Sequence, residues 1–156
     1  MQNNYSLNSG FTLAEMLIAI TVFSILALIA YPSYSNYVRD TRIAEVQGAL
    51  IENARFMESF YLQRRSFKQN STTWPTLPIA ANSHFCIKPQ GNARGANTDR
   101  FTLKAVAFNK DAEPRVIKIN EAQQIIICES STSTCSDKGG FFPGTNSTDK
   151  QCKIVH

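Results

Sequence analysis

An apolar stretch near the amino terminus, residues 11–30, constrains the fold of this chain more than any other feature. As an α-helix its 20 residues would extend about 30 Å, the thickness of the hydrocarbon core of a bilayer. It contains one charged residue, Glu15, and the next charge along the chain is Arg39. A carboxylate near the centre of a bilayer costs about 2.5–3.5 kcal/mol, so its presence there indicates a function. We therefore interpret the rest of the chain as a domain that this segment anchors.

The residues before the apolar stretch are mostly polar, contain no Lys or Arg, and end in Gly10. A secretory signal peptide begins with basic residues and has its small-residue cleavage site after the apolar stretch. Here the small residue comes first, so cleavage after Gly10 would leave the apolar stretch in the mature protein. A plain transmembrane anchor explains the length of this stretch but neither Glu15 nor the junction between Gly10 and Phe11.

The sequence Gly-Phe-Thr-Leu-Ala-Glu at residues 10–15 resembles the processing motif of type IV prepilins. The resemblance implies that a prepilin peptidase cleaves after Gly10 and that the new amino terminus, at Phe11, is methylated. It also implies that Glu15 pairs with the terminal amine of a neighbouring pilin subunit, because opposite charges neutralise each other in an apolar bundle. Pro32 lies where pilin helices bend, and proline removes a helical hydrogen-bond donor.

This resemblance divides the chain into three parts. Residues 1–10 are expected to be a leader that is removed, residues 11–36 the membrane and assembly half of a long helix, and residues 37–156 a periplasmic or extracellular globular domain. Beyond Pro32, apolar residues recur at steps of three and four, which is typical of a helix with one packed face. The pattern predicts one helix from residue 11 to about residue 64.

Four strands are predicted after the helix, at residues 85–88, 100–108, 115–120 and 123–128. Short connections favour an antiparallel meander with one face on the helix and the other in solvent. Residues 130–156 show neither a helical nor a strand period and are expected to form a loop. The predicted fold class is α+β, the type IV pilin fold, with one long amino-terminal helix packed on a four-stranded antiparallel sheet and a disulfide-pinned carboxyl-terminal loop.

The four cysteines are Cys86, Cys128, Cys135 and Cys152. Their even number and the absence of a CxxC pair favour disulfides in an exported domain over a metal site. Three pairings are possible. We favour Cys86 with Cys128, which would staple the outer ends of two strands, and Cys135 with Cys152, which would close the tail loop. No metal and no cofactor are expected.

The positive charge of the chain lies in its second part. All 16 Lys and Arg lie at or beyond Arg39, and 11 of the 12 acidic residues lie at or beyond Asp40, so this part carries a formal charge of +5. A moderately basic domain suits a polyanionic partner, although such a charge also occurs in inert domains. The sequence has no nucleophile–base set, phosphate-binding loop or metal cluster, so no enzymatic activity is expected.

Side-chain alternation places one lysine from each of the first three strands on the face opposite the helix: Lys88, Lys104 and Lys118. Strands lie about 4.8 Å apart, so these lysines would form a short positive stripe across the sheet. Such a row matches the closely spaced phosphates of duplex DNA. The alternative is that lysine simply occupies exposed strand positions.

Further candidate DNA contacts lie in loops. Arg94 and Arg100 belong to the loop that adjoins the first two strands, with Arg100 where the second strand begins, and Lys138 and Lys150 lie in or beside the tail loop. Trp74, the only tryptophan, lies in the loop after the helix and either caps the edge of the core or stacks against bases.

A closer resemblance spans nearly all of the mature chain. Residues 50–58, 74–79 and 103–107 are similar to the type IV minor pilins that act as DNA receptors in naturally competent bacteria. This resemblance implies double-stranded DNA carrying an uptake sequence as a partner, with the three strand lysines as the basic stripe. It implies that the loops around Trp74 and between the last two cysteines face DNA.

The same resemblance implies where the protein is found and what it assembles with. The expected partners are other pilin subunits in a filament, the inner membrane before assembly, and the prepilin peptidase. The expected location is an inner-membrane precursor pool and then the type IV pilus at the cell surface. The alternative is a structural or adhesive minor pilin, or a pseudopilin, that does not bind DNA.

Overall fold

The computed structural model describes residues 11–136, 141 and 148–155. Gly10 and Lys138 lie outside the described residues. The elements follow in the order α1 (Leu13–Arg64), β1 (Phe85–Pro89), β2 (Thr102–Ala107), β3 (Val116–Asn120), β4 (Ile125–Ser131) and β5 (Asp149–Val155). The chain divides into two compact units, Met1–Val38 and Arg39–His156.

In the first unit, α1 begins with a capping box. The backbone N–H of Thr12 donates to Oε2 of Glu15 at 2.8 Å, and the backbone N–H of Glu15 donates to Oγ1 of Thr12 at 3.3 Å. The first N–H groups of a helix have no partner within the helix, and this pair satisfies two backbone donors at the helix start. The carboxylate that the sequence singles out therefore has a partner within its own chain.

The apolar side chains of residues 11–37 are exposed. α1 contains an apolar segment of 18 residues, none of them buried, so the helix is long and apolar enough to cross a membrane. Pro32 lies inside the helix.

In the second unit, one stripe of α1 packs against the sheet. Ile43, Val46, Leu50 and Met57 are buried, as the helical period predicted. They form one cluster with alternate residues of the central strands, including Leu103, Ala105, Ile117 and Ile119. Each Val, Leu, Ile or Met side chain in this cluster contributes about 1.5–3 kcal/mol when it is fully removed from water. This cluster fixes the helix on one face of the sheet.

Within the described residues the sheet has five strands in the order β1-β2-β3-β4-β5, and all neighbours are antiparallel. The predicted meander of four strands is confirmed, with bounds that differ by a few residues. The predicted tail loop is wrong for Asp149–Val155, which form β5 on the open edge of β4. Side chains of this edge strand are largely exposed, so the sequence shows no apolar alternation. The ladder to β4 and a disulfide hold β5 in place instead.

The disulfides join Cys86 to Cys135 and Cys128 to Cys152. The predicted pairing of Cys86 with Cys128 and of Cys135 with Cys152 is therefore wrong. Cys86 lies on β1 and Cys128 on β4, with two strands between them. At about 4.8 Å per strand they lie about 14 Å apart, whereas a disulfide needs Cα atoms within about 7 Å. Cys128 instead lies directly opposite Cys152 in the ladder of β4 and β5.

Candidate nucleic-acid interface

The outer face of the sheet, which is the face opposite α1, carries a row of lysines. Lys88 lies opposite Lys104 in the ladder of β1 and β2, and Lys104 lies opposite Lys118 in the ladder of β2 and β3. Strand alternation therefore brings these three residues together, as the sequence predicted. We call them the lysine row.

The lysine row is not an open solvated stripe. The expectation that Lys104 faces solvent is wrong, because only 1% of this residue is exposed. The next row of the outer face contains Cys86, Val106, Val116 and Cys128, which form a second buried cluster with Phe141. Phe141 and Cys135, which follow β4, cover this part of the face, and a disulfide ties Cys135 to Cys86 of β1.

Phe141 contacts the lysine row from above. Nζ of Lys88 lies 5.5 Å and Nζ of Lys104 lies 5.9 Å from the centre of its ring. An ammonium near the face of an aromatic ring is attracted by the ring's negative face, by about 0.5–2 kcal/mol depending on burial. The ring therefore lies against two of the three lysines and shields them from solvent.

Asp149 binds the other side of the row. Nζ of Lys104 lies 2.7 Å from Oδ1 of Asp149 and donates a second hydrogen bond, of 2.6 Å, to Oγ of Ser133. Nζ of Lys118 lies 2.5 Å from Oδ2 of Asp149, and Oγ of Ser131 donates to Oδ1 at 2.5 Å. A buried ammonium is tolerated only when charge and hydrogen bonds compensate for its lost hydration, and this network supplies both.

Burial and pairing shift the pKa values of Lys104 and Asp149. Burial lowers the pKa of Lys104, and the hydrogen bond and charge of Asp149 oppose that shift only in part. Burial alone would raise the pKa of Asp149, but hydrogen bonds from Lys104, Lys118 and Ser131 outweigh it and hold the pKa below its usual value. Asp149 is therefore ionised at neutral pH and offsets charge in the lysine row.

The sequence interpretation missed Asp149, Ser131, Ser133 and Phe141. All four come from residues 130–156, which were expected to form a disulfide-pinned loop without a strand. The sequence held one sign of these contacts. The alternation that places the lysines on the outer face also places Val106, Cys86 and Cys128 there. Apolar residues on an outward face indicate that something covers it.

Exposed cations lie at the end of the sheet nearest the lysine row. Arg94 and Arg100 are exposed in the loop of residues 90–101, which joins β1 to β2. Lys68 fixes this loop by donating from Nζ to the carbonyl oxygens of Ala93, at 3.3 Å, and Ala96, at 2.8 Å. The loop is thus held in a defined shape, and its arginines remain accessible to a ligand.

Trp74 connects the loop after α1 to the same end of the sheet. Its Nε1–H donates to the carbonyl oxygen of Gly91 at 3.0 Å, and its half-buried ring packs against the core cluster. Gly91 has a φ of 84°, in the left-handed region that favours glycine. Trp74 therefore braces the two loops and caps the core edge, while part of its ring stays exposed.

An open cleft of about 560 Å³ lies beside these loops. Arg64, at the end of α1, and Lys68 line it together with hydroxyl and amide side chains, among them Asn70 and Ser71.

Lys150, the remaining candidate DNA contact from the sequence, is exposed on β5 opposite Ser130.

Comparisons with known proteins agree with this architecture. A family profile described as type IV minor pilin ComP, DNA uptake sequence receptor, matches residues 32–126, and one described as the prokaryotic N-terminal methylation motif matches residues 5–31. The chain is 32% identical over 109 residues to the type IV major fimbrial protein FimA of Dichelobacter nodosus, covering 67% of this chain and 70% of that protein. It is 29% identical over 122 residues to a type IV major alpha-pilin of Moraxella bovis, covering 69% of this chain and 76% of that protein.

Two solved structures of ComP pilins match the chain as well. The solution NMR structure of the minor DNA-uptake pilin ComP from Neisseria subflava has 40% sequence identity and a TM-score of 0.58, covering 73% of this chain and 95% of that chain. The global fold of ComP from Neisseria meningitidis has 51% identity and a TM-score of 0.48, covering 71% and 91%.

Proposed function

Because the chain belongs to the ComP family of type IV minor pilins, we propose that it binds extracellular double-stranded DNA and initiates uptake in natural transformation. As a type IV pilin it is anchored in the inner membrane through α1 and then assembled with other pilin subunits into pili. Its role in uptake is that of a binding subunit of the filament, without a catalytic step of its own.

One observation carries the proposal: the lysine row adjoins the exposed arginines at one end of the sheet. Lys88 is one residue from the end of β1, and Lys104 is the third residue of β2, so both lie next to the loop that carries Arg94 and Arg100. Duplex DNA carries one phosphate charge per about 1.7 Å of axis, and several cations along one edge match that density. The geometry supports a phosphate backbone lying along this end of the sheet.

The cations of this surface have different roles. Arg94 and Arg100 are exposed and supply the main phosphate contacts, because guanidinium groups bind phosphate oxygens in pairs. Lys88, which is partly buried, and Lys150, which is exposed, contribute at the margins. Lys104 is buried and paired with Asp149, so it stabilises the sheet beneath the interface and does not contact DNA.

Processing and assembly complete the proposed function. Cleavage after Gly10 removes the leader, residues 1–10, and methylation follows at Phe11. In the filament Glu15 exchanges its bonds to Thr12 for the terminal amine of a neighbouring subunit, and Pro32 allows the helix to bend between the assembly half, residues 11–36, and the globular domain, residues 37–156.

The direct test uses the full chain in detergent and a fluorescent duplex, with anisotropy measured over a range of salt concentrations. Arg94→Gln and Arg100→Gln should each weaken binding and reduce the slope of log affinity against log salt by about 0.9, the value of one lost phosphate contact. Arg55→Gln is the matched control, because Arg55 is exposed on the helix layer, away from the outer face. Equal effects of all three substitutions would refute a localised interface.

A second candidate is a structural or adhesive minor pilin without DNA binding. The ion pairs of Asp149 with Lys104 and Lys118 favour it, since they assign a stabilising role to two of the lysines. Under this alternative, the full chain binds duplex weakly, and the affinity of Arg94→Gln for duplex is no lower than that of Arg55→Gln.

A further inference from the structure

The carboxylate of Asp149 lies among three ammonium groups on the outer face of the sheet. Its two oxygens contact different strands, because Oδ1 of Asp149 binds Lys104 of β2 and Oδ2 binds Lys118 of β3. Nζ of Lys110 donates to the carbonyl oxygen of Ser131, which lies opposite Asp149 in the ladder. Three cations from separate positions thus converge on the paired ends of β4 and β5.

These contacts reach across the sheet. In the part of the chain that the structure describes, β5 pairs with β4 alone, yet its first residue, Asp149, holds side chains from β2 and β3. The side chain of Asp149 is 6% exposed and that of Lys118 is 13% exposed. A cation directed towards a buried carboxylate is not directed towards a ligand outside, so the position of Lys118 depends on Asp149.

We propose that Asp149 is a positioning residue of the DNA-binding face: it holds Lys118 and Lys104 inward and offsets part of the charge of the lysine row. The inference rests on the proposed DNA-binding function. With Asp149 in place, phosphate contacts fall to Arg94 and Arg100 at the loop end. Without its charge, Lys118 swings outward and adds a sequence-independent phosphate contact, so the surface binds any duplex more tightly and discriminates less between duplexes.

The first arm of the test measures the lysines without DNA. The full chain in detergent is treated briefly with an amine-acylating reagent, and modification of each lysine is quantified by peptide mass spectrometry. In Asp149→Asn, Lys118 should react severalfold faster than in the unmodified sequence. Asp111→Asn is the matched control, because Asp111 is exposed in the turn between β2 and β3 and its loss removes the same charge elsewhere. Equal labelling of Lys118 in both variants would overturn the inference.

The second arm measures DNA binding of the same variants. Asp149→Asn should steepen the slope of log affinity against log salt by about 0.9, the value of one added phosphate contact, and reduce the ratio of affinities for genomic and random duplex. Asp111→Asn should leave the slope unchanged. If Asp149→Asn lowers affinity with an unchanged slope, Asp149 is only structural and the inference is wrong.

A double variant that removes both charges of the buried pair controls for misfolding of the single variant. Asp149→Asn leaves Lys104 buried without its counter-charge, which is destabilising, whereas replacing a buried pair together is often neutral. The double variant Lys104→Met with Asp149→Asn should therefore fold and still show faster labelling of Lys118 and a steeper slope. If neither change occurs in this folded variant, the inference fails.

The two proposals fail in different ways. If the unmodified chain does not bind duplex at all, the proposed function is wrong, and the labelling arm alone decides the role of Asp149. If the unmodified chain binds DNA but labelling does not change, the positioning role is wrong and the proposed function stands.

Discussion

Trp74 donates its indole N–H to the carbonyl oxygen of Gly91 at 3.0 Å, joining the loop after α1 to the loop between β1 and β2. This contact places a partly exposed aromatic ring and a glycine-containing loop at the same end of the sheet as Arg94 and Arg100. The shape of the proposed interface therefore depends on Trp74 whether or not its ring touches a base.

Replacing Trp74 should separate its bracing role from its packing role. Trp74→Phe retains most of the ring but loses the hydrogen bond to Gly91, at a cost of about 1 kcal/mol. Trp74→Ala also removes a half-buried ring from the core edge and should cost about 2–3 kcal/mol, below the range for a fully buried tryptophan. Urea unfolding of both variants checks this. A Trp74→Ala protein with unchanged stability but weakened DNA binding would show that the ring serves DNA alone.

Asn53 is a buried polar residue on the packed stripe of α1. Its Nδ2 donates to the carbonyl oxygen of Ile79 at 2.7 Å, and its Oδ1 accepts from the backbone N–H of Ile79 at 3.0 Å. Asn53→Ala leaves both backbone groups without this partner, at about 1–3 kcal/mol for each buried group. Thermal unfolding should show a large loss, while Glu52→Ala, at the exposed neighbouring position, should stay near the unmodified value.

The two disulfides can be read directly from a peptide map prepared without reduction. We expect cross-linked peptides that join Cys86 to Cys135 and Cys128 to Cys152. In the chain-entropy description, removing the first, with a sequence separation of 49, costs about 4 kcal/mol, and removing the second, with a separation of 24, costs about 3.5 kcal/mol. A peptide joining Cys86 to Cys128 would contradict the strand order.

The ion pairs of Asp149 should make stability depend on acid. Its folded-state pKa lies below its usual value, so the carboxylate stabilises the fold above about pH 4, the pKa in the unfolded chain. That contribution is lost as the pH falls through the lowered folded-state pKa. Asp149→Asn should therefore be less stable than the unmodified chain at pH 7, and the two should converge towards pH 2. A stability difference that persists at pH 2 would assign the effect to packing instead.

Much of the fold follows from local pattern. The helix is visible as an apolar segment followed by a helical period, and the central strands as alternation with short connections, because both signals are encoded within a few neighbouring residues. β5 carries no such signal, since an edge strand with exposed side chains is held by its backbone ladder and Cys152.

The candidate site was only half predictable for a related reason. Alternation places Lys88, Lys104 and Lys118 in one row, but it does not say what covers the row. Asp149 reaches Lys104 across 45 residues of sequence, and such long-range pairing leaves no mark in local composition. The wrong disulfide pairing could have been avoided from the sequence, because the predicted meander already separated Cys86 from Cys128 by two strands.

Competition binding tests the central claim most directly. The full chain in detergent is loaded with a fluorescent duplex, which is then displaced by genomic fragments of the source organism or by random duplex of equal length. We expect genomic fragments to displace the probe at lower concentration, and probe affinity to fall when Arg94 and Arg100 are both changed to Gln but not when Arg55 is changed to Gln. Equal displacement by both DNAs, with probe affinity unaffected by the loss of both arginines, would contradict a DNA receptor at this end of the sheet.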